Sequence, residues 1–303
     1  MDIDQILEAI AGNRRALART LTNIENGAIT IKQIKHALTK AGADEESTPW
    51  SSLAITGAPG VGKSCLIDKL LKLWAQDGNK IALLAIDPSS PRTGGALLGD
   101  RVRITSVDDD HIKDNIYIRS IATRKSSGSV PLIVADMVEF LLMANWDRVI
   151  IETVGSGQSE VRCAAIADRI VVVEGPARGD GVQAEKAGLL ELADAVIVNK
   201  SDISGAEKHA EELIESFELG LGDTPPVMLT SALNETGIIE AGKILLTLPD
   251  SGRSVRARWR ERLLAHNERR ILESPQLDDI LASLAVGSIS VSDAIKSLGG
   301  EKY

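Results

Sequence analysis

The feature that most constrains this chain is a phosphate-binding loop at residues 57–64, which read Gly-Ala-Pro-Gly-Val-Gly-Lys-Ser. This is a complete G-x-x-x-x-G-K-[ST] pattern, and it lies between an apolar run at 53–56 and a segment of helical rhythm at 65–71. Glycines permit the backbone angles that let the loop amides converge on phosphate oxygens at a helix N-terminus. The sequence therefore predicts a nucleoside triphosphate site with the contacts Gly57, Ala58, Pro59, Gly60, Val61, Gly62, Lys63, Ser64 and Cys65.

Two side chains of this loop are suited to phosphoryl transfer. We expect the Lys63 ammonium to bring positive charge to the β- and γ-phosphates, and the Ser64 hydroxyl to be a ligand of Mg²⁺. Lys63 is accordingly predicted to be catalytic, and Ser64 to be part of the metal site.

A second motif at residues 199–202 indicates which nucleotide is bound. It reads N-K-S-D at the end of an apolar strand. A carboxylate at Asp202 can accept two hydrogen bonds from guanine, whereas adenine would leave it desolvated and unpaired. We expect Asn199 to brace the loop and the stem of Lys200 to lie along the base. A later strand ends in Ser231, Ala232 and Leu233, where a backbone amide can meet the guanine oxygen, so the predicted ligand is GTP or GDP.

Three polar clusters follow other predicted strands, and each is a candidate for nucleotide sensing. Asp87 ends one strand, and Asp100 follows a Gly/Pro-rich segment after it, so both are candidate Mg²⁺ ligands. Glu152 occupies the place of the aspartate in a D-x-x-G switch, and we expect it to be catalytic and metal-binding. The Gly155 amide would then sense the γ-phosphate. In the same cluster, Gln158 and Glu160 lie near enough to orient an attacking water, and spacing alone does not decide between them. The third cluster is the glycine-containing loop at 177–186.

The arrangement of these motifs predicts an α/β fold with a mostly parallel central sheet. Strands and helices alternate from about residue 52 to 249, and several strands are continuous apolar runs of the kind that helices cover on both faces. The predicted strands are 53–56, 81–86, 116–118, 148–151, 170–173, 195–198 and 226–229. We expect the nucleotide contacts to gather at their carboxyl ends.

Helical segments flank this predicted GTPase domain. Residues 1–47 carry apolar stripes at helical spacing, among them Ile6, Leu7 and Ile10, and form a predicted N-terminal helical extension ahead of the domain at 48–250. Residues 251–303 contain an arginine-rich helix with Trp259, followed by two amphipathic helices. Because such an arm cannot bury its own apolar face, we expect it to dock on a partner, often a second copy.

Composition limits the classes of partner. The 303 residues carry a net charge of -9 and two cysteines. An acidic chain argues against nucleic acid or an anionic membrane as the main partner, and two cysteines do not make a disulfide framework. The acidic N-terminus lacks the pattern of a signal peptide, so we expect a cytoplasmic protein.

Several of these segments together resemble the MeaB/ArgK family of metallochaperone GTPases, which are associated with methylmalonyl-CoA mutase. The resemblance rests on D-P-S-S-x-x-T-G-G-x-x-L-G-D from Asp87, E-T-V-G-x-G-Q-S-E from Glu152, the G-D-x-x-Q loop from Gly179, and the N-K-x-D motif. It implies a homodimer formed through the C-terminal arm. It also implies a GTPase that gates adenosylcobalamin delivery to a B₁₂-dependent acyl-CoA mutase and protects that enzyme, with an adenosyltransferase as a further partner.

The chain departs from the family pattern at two positions that bear on these expectations. Cys65 stands where the family normally has Thr, and of the adjacent lysines of the third switch only Lys186 remains, followed by Ala187. We expect Lys186 to contribute charge to the activated catalytic site. Because the resemblance implies that this loop communicates with the mutase, its altered sequence leaves two kinds of partner enzyme open: methylmalonyl-CoA mutase, or a relative such as 2-hydroxyisobutyryl-CoA mutase.

Two other functions stay open from sequence. A GTPase for nickel insertion would need clustered soft or imidazole ligands, whereas the four histidines are scattered along the chain. A kinase acting on a small molecule or a protein could share the phosphate-binding loop, although the N-K-x-D motif favours guanine.

Overall fold

The computed structural model describes residues 3–38, 50–87, 104–122, 133–153, 162–176, 183–219, 224–250, 255–272 and 274–299. Its helices are α1 (Ile3–Ile10), α2 (Arg14–Glu25), α3 (Ile31–Leu38), α4 (Lys63–Gln76), α5 (Ile133–Met143), α6 (Gln183–Leu192), α7 (Ala206–Glu218), α8 (Ile238–Leu246), α9 (Val255–Leu272), α10 (Leu277–Ala285) and α11 (Val291–Gly299). Its strands are β1 (Ser52–Thr56), β2 (Ile81–Asp87), β3 (Ile116–Ala122), β4 (Arg148–Glu152), β5 (Arg169–Glu174), β6 (Ala195–Asn199) and β7 (Val227–Thr230).

The strands form one sheet in the order β3-β2-β4-β1-β5-β6-β7, and every neighbouring pair is parallel. The predicted α/β fold with its seven strands is therefore confirmed, and the sheet is parallel throughout the described residues. Since parallel strands all end at one edge, the loops after β1, β4, β5 and β6 meet there. β1 lies between β4 and β5, which puts the phosphate-binding loop at the middle of that edge.

Strand β3 is longer than predicted, because it continues to Ala122 where the pattern indicated an end at residue 118. β3 is an edge strand of this sheet. Arg119 and Ser120 interrupt its apolar run, and the structure accommodates Arg119 by an ion pair with Glu25 of α2 at 2.5 Å.

The core lies in two layers, one on each face of the sheet. Alternate strand residues such as Ala54 and Ile151 join one layer, which helices α2, α5 and α7 cover. Their neighbours Leu53 and Ile150 join the other layer, which α4 and α8 cover. Because helices cover both faces, the central strands have no solvent-facing side, and their sequences lack polar alternation.

The N-terminal helices pack as a hairpin on the α5 face of the sheet. Asn13 caps α2, since its side chain accepts hydrogen bonds from the amides of Arg15 and Ala16 at 3.0 and 3.1 Å. The predicted stripe of α1 is right for Ile6, which is fully buried, and wrong for Leu7, which is 47% exposed. Leu7 lies next to Ile6 in sequence, about 100° around the helix, and so faces away from the core.

The C-terminal helix α9 is held to the body by arginine–carboxylate pairs. Arg269 forms two hydrogen bonds to the carboxylate of Asp136 in α5, at 2.9 and 2.8 Å. Arg258 pairs with the buried Asp194 and donates to the carbonyl of Asp168 at 2.6 Å. These arginines of the arginine-rich segment therefore anchor α9 to the rest of the chain.

The predicted boundaries at residues 47/48 and 250/251 stay predictions. Among the helices that the structure describes, none is long and apolar enough to cross a membrane.

Candidate nucleotide-binding site

The phosphate-binding loop leaves the end of β1 in a conformation that requires glycine. Gly57 has φ of 140°, and a Cβ there would lie 2.0 Å from the carbonyl oxygen of Val173 in β5. Gly62 has φ of 94°, and a Cβ there would lie 2.5 Å from Nδ2 of Asn199. Both positions need the left-handed or extended positive-φ backbone and the small volume that glycine alone provides. The loop therefore packs directly against β5 and against the end of β6.

Lys63 begins α4 and turns back over the loop. Its Nζ donates hydrogen bonds to the carbonyl oxygens of Gly57 at 2.6 Å and Ala58 at 3.2 Å. The side chain is 7% exposed. The ammonium group therefore lies inside the curve of the loop, at the N-terminus of a helix, where an anionic ligand is favoured.

Ser64 and Glu152 form a pair of oxygen donors beside this ammonium group. The Ser64 hydroxyl donates to Oε1 of Glu152 at 2.7 Å, and the two residues are 7% and 5% exposed. They meet because Glu152 ends β4, where it is in register with Ile55 of β1. A hydroxyl and a carboxylate next to a phosphate site are the hard oxygen ligands that Mg²⁺ prefers, so this pair fits the predicted metal.

The other predicted metal and switch residues are described less fully. Asp87 ends β2, two residues beyond Ala85, which is in register with Glu152. Its backbone is therefore at the same edge of the sheet. Lys186 lies in α6. Asp100, Gly155 and Gln158 lie outside the described residues, so their predicted roles stay predictions.

Asn199 connects three segments of the site. Its Nδ2 donates to the carbonyl oxygen of Val61 at 2.9 Å, which links β6 to the phosphate-binding loop. Its Oδ1 accepts from Oγ1 of Thr230 at 3.2 Å and from the amide of Ala232 at 3.1 Å. Asn199 is 1% exposed, so breaking these hydrogen bonds would leave its amide group buried without partners, which costs free energy.

Lys200 and Asp202 complete the same loop. Lys200 adopts φ of 63°, and its Nζ donates to the carbonyl oxygen of Gly60 at 2.6 Å. Its stem therefore spans the gap between the two motifs. Asp202 accepts a hydrogen bond from the Ser231 hydroxyl at 2.5 Å through Oδ1. Oδ1 is thus oriented by the neighbouring turn, which would also set the direction of the other carboxylate oxygen.

The turn at residues 231–237 distinguishes among the three candidate amide donors. The Ser231 amide donates to the carbonyl of Thr236 at 2.9 Å, and the Ala232 amide is bonded to Asn199. Within the described part of the chain, the amide of Leu233 has no acceptor. The Leu233 side chain is 84% exposed. Of the three, Leu233 is therefore the residue whose amide is available to a ligand.

Sequence reasoning missed two contacts that shape the site. The Thr153 hydroxyl donates to the Thr56 hydroxyl at 2.8 Å, which joins the ends of β4 and β1. Lys69 of α4 forms an ion pair with Glu235 of the turn, at 2.5 Å. Neither pair has a local signal, because the partners are about 100 or more residues apart.

The fold and the site define a P-loop GTPase. A solved structure described as a LAO/AO transport system kinase has a TM-score of 0.63 over 98% of this chain and 95% of its own, at 22% identity. At that identity the likeness shows the fold alone.

The chain belongs to the family of the methylmalonyl-CoA mutase-associated GTPase MeaB, whose model matches residues 17–262. A Pyrococcus abyssi protein that is provisionally named a GTPase is 40% identical over 245 residues, which are 78% of this chain and 73% of that protein. A Cupriavidus metallidurans protein named fused isobutyryl-CoA mutase is 38% identical over 203 residues, which are 65% of this chain and 18% of that protein. The resemblance inferred from the motifs is therefore confirmed, and the chain is a GTP-hydrolysing enzyme related to mutase-associated chaperones.

Proposed function

We propose that this GTPase gates the loading of adenosylcobalamin into a B₁₂-dependent acyl-CoA mutase and protects or reactivates that enzyme. The observation that carries the proposal is the Cupriavidus metallidurans relative, in which the region similar to this chain is a minor part of a protein named as a mutase. Two activities joined in one chain act at high effective concentration on each other. We therefore infer that a separate GTPase of the same family acts on the same kind of mutase.

The described residues support a division of labour in GTP hydrolysis. Lys63, held within the loop by the Gly57 carbonyl, would bind the β- and γ-phosphates when it exchanges that carbonyl for phosphate oxygens. Ser64 and Glu152 would hold Mg²⁺, which would neutralise phosphate charge. Asp87 and Asp100 are proposed to complete that shell. Gly155 would sense the γ-phosphate, Gln158 would orient the attacking water, and Lys186 would add charge when the mutase is bound.

Guanine recognition is proposed to depend on the edge contacts of Asp202. Its carboxylate would accept from the N1–H and 2-amino groups, with the Leu233 amide donating to the guanine oxygen. The observed bonds of Asn199 to Val61 and Ala232 support this, because they hold the base side and the phosphate side of the site in one frame.

The client can be tested with purified proteins. We expect phosphate release from GTP to rise when a B₁₂-dependent acyl-CoA mutase of the same genome is added, either methylmalonyl-CoA mutase or a relative such as 2-hydroxyisobutyryl-CoA mutase. The Lys63→Ala variant is the matched control, since it should bind the mutase surface without the rate increase. No change in GTPase rate with any such mutase, together with no effect on reactivation of inactivated mutase, would contradict the proposal.

Two further measurements, of nucleotide and acceptor use and of Ni²⁺ binding, separate the other candidate functions. A kinase would consume ATP as well as GTP and transfer phosphate to an acceptor, and a nickel-insertion factor would bind Ni²⁺ stoichiometrically. If an adenosyltransferase is the proposed third partner, adding it together with the mutase should speed the loading of cofactor in a GTP-dependent way.

A homodimer formed through the C-terminal arm is the second part of the proposal. Large apolar side chains are exposed on α9, with Trp259 at 58% and Leu263 at 69%, and on the loop after α10, with Val286 at 79%. Large apolar side chains exposed in this number along one arm are typical of an interaction surface. We expect Leu263→Asp to shift the protein from dimer to monomer in light scattering at micromolar concentration. Glu261→Gln, on the same helix, should remain dimeric; a monomeric wild type would contradict the proposal.

A further inference from the structure

The guanine-side turn at residues 231–237 is a tightly closed unit. Ser231 and Thr236 exchange two backbone hydrogen bonds, at 2.9 and 3.1 Å. Glu235 has φ of 56° and Gly237 has φ of 70°, and a Cβ on Gly237 would lie 2.2 Å from the carbonyl oxygen of Leu229. A turn closed in this way moves as one piece, so its position depends on what its outer side chains contact.

One of those outer side chains reaches the helix that begins at the phosphate-binding loop. Glu235 forms an ion pair at 2.5 Å with Lys69, which lies in α4 six residues after Lys63. The pKa of Lys69 is raised and the pKa of Glu235 is lowered, in each case chiefly by their mutual hydrogen bond. The pairing therefore favours the charged form of both groups.

Behind this ion pair, α4 and the helix after the turn are in close contact. A Cβ on Gly242 of α8 would lie 2.5 Å from Cδ2 of Leu73, and the indole nitrogen of Trp74 donates to the Gly242 carbonyl at 3.1 Å. Leu73 is one helical turn beyond Lys69. The turn is thus attached to α4 at its base by packing, and near its tip by the ion pair.

We infer that the Lys69–Glu235 pair positions the turn for reading the guanine carbonyl, by fixing the distance between the Leu233 amide and the phosphate-binding loop. The contacts to the base and the contacts to the phosphates would then both be positioned by one helix, α4. The pair is a positioning element and does not touch the nucleotide. The inference rests on the guanine contacts proposed above.

Two nucleotide analogues separate this role from a general loss of affinity. 6-Thioguanosine diphosphate keeps the N1–H and 2-amino groups that Asp202 would read but replaces the 6-oxo acceptor by a weaker thione acceptor, whereas inosine diphosphate lacks the 2-amino group that Asp202 would read. We expect Glu235→Gln and Lys69→Met each to lower the preference for GDP over 6-thioguanosine diphosphate by about 1.5- to 5-fold, the range of an exposed ion pair. The preference for GDP over inosine diphosphate should stay within experimental error.

A charge-exchange variant and a matched control make the test decisive. Lys69→Glu combined with Glu235→Lys should restore at least half of the lost preference, while Glu240→Gln, which removes an exposed charge from α8, should change nothing. In wild type, raising the salt from 50 to 500 mM should shrink the preference, because screening weakens an exposed pair. In Glu235→Gln, the same change of salt should leave the preference unaltered.

The outcomes distinguish this inference from the proposed base contacts. If wild-type protein does not prefer GDP over 6-thioguanosine diphosphate, the proposed role of the turn fails. If wild type shows the preference and both single variants retain it, or if the exchange variant is no better than the singles, the positioning role of the ion pair is overturned.

Discussion

Replacing the loop glycines by alanine should give losses of stability that follow the space around each glycine. Gly60 and Gly62 have similar φ angles, 80° and 94°, both in the range that favours glycine. A Cβ on Gly60 would meet nothing within 4 Å, whereas a Cβ on Gly62 would lie 2.5 Å from Nδ2 of Asn199. Because φ is similar at the two positions, comparing the two alanine variants separates the cost of backbone strain from the cost of steric conflict.

The magnitudes follow from these two effects. An alanine in the left-handed region costs about 1–2 kcal/mol, offset by about 0.4–1 kcal/mol from the reduced entropy of the unfolded chain. Gly60→Ala should therefore lower the free energy of unfolding by about 1 kcal/mol. Gly62→Ala must also displace the Asn199 amide from the Val61 carbonyl. Losing buried hydrogen bonds adds about 1–3 kcal/mol, for a total of about 2–4 kcal/mol.

Urea unfolding of the nucleotide-free protein measures both losses. In an Asn199→Ala background the steric conflict is gone, so the cost of Gly62→Ala should fall to about that of Gly60→Ala, roughly 1 kcal/mol. Gly57→Ala is the extreme of the series, because its Cβ would lie 2.0 Å from a backbone oxygen. Equal losses at Gly60 and Gly62, or additive losses of Gly62→Ala and Asn199→Ala, would refute the reasoning.

Three further outcomes are expected. Asp202→Asn should weaken GDP binding by about 1–3 kcal/mol and favour xanthosine diphosphate, because the amide reverses one hydrogen-bond direction; unchanged GDP affinity by calorimetry would remove the guanine assignment. Lys63→Ala should slow phosphate release from GTP by orders of magnitude, since phosphoryl transfer depends on charge neutralisation, and a wild-type rate would make the loop structural. Arg269→Ala leaves the Asp136 carboxylate, which is 6% exposed, without its bidentate partner. Because the Arg269 side chain is partly exposed, we expect urea unfolding to show a loss of about 2 kcal/mol. For Arg270→Ala we expect under about 0.5 kcal/mol, because the hydrogen bond of Arg270 to Asn267 is exposed.

Much of the site could be predicted because its residues lie next to one another along the chain. The loop from Gly57 to Ser64 is a single continuous motif between a strand and a helix, and the N-K-x-D motif ends another strand. Parallel strands bring such ends to one edge whatever separates them in sequence. Local pattern and topology are therefore enough to predict that Ser64 and Glu152 belong to one site.

Residues whose partners are distant could not be interpreted in the same way. The sequence predicts that the arginine-rich arm docks on a partner, yet Arg258 and Arg269 of α9 pair with carboxylates of the chain itself. The sequence contains no local sign of Asp194 or Asp136 as partners. A charged side chain reveals its function only through what surrounds it.

The sequence by itself determined the class of fold, the order of strands and helices along the chain, the nucleotide-binding motifs and the family. These depend on hydrophobic period and on short motifs, which are properties of neighbouring residues. Only the tertiary structure decided that the amide of Leu233 is available while that of Ala232 is bonded to Asn199, and that Lys69 reaches Glu235. Both depend on the angles at which separate loops leave one sheet edge. Those angles are set by packing over the whole core, as at Gly242 against Leu73, and not by any one segment.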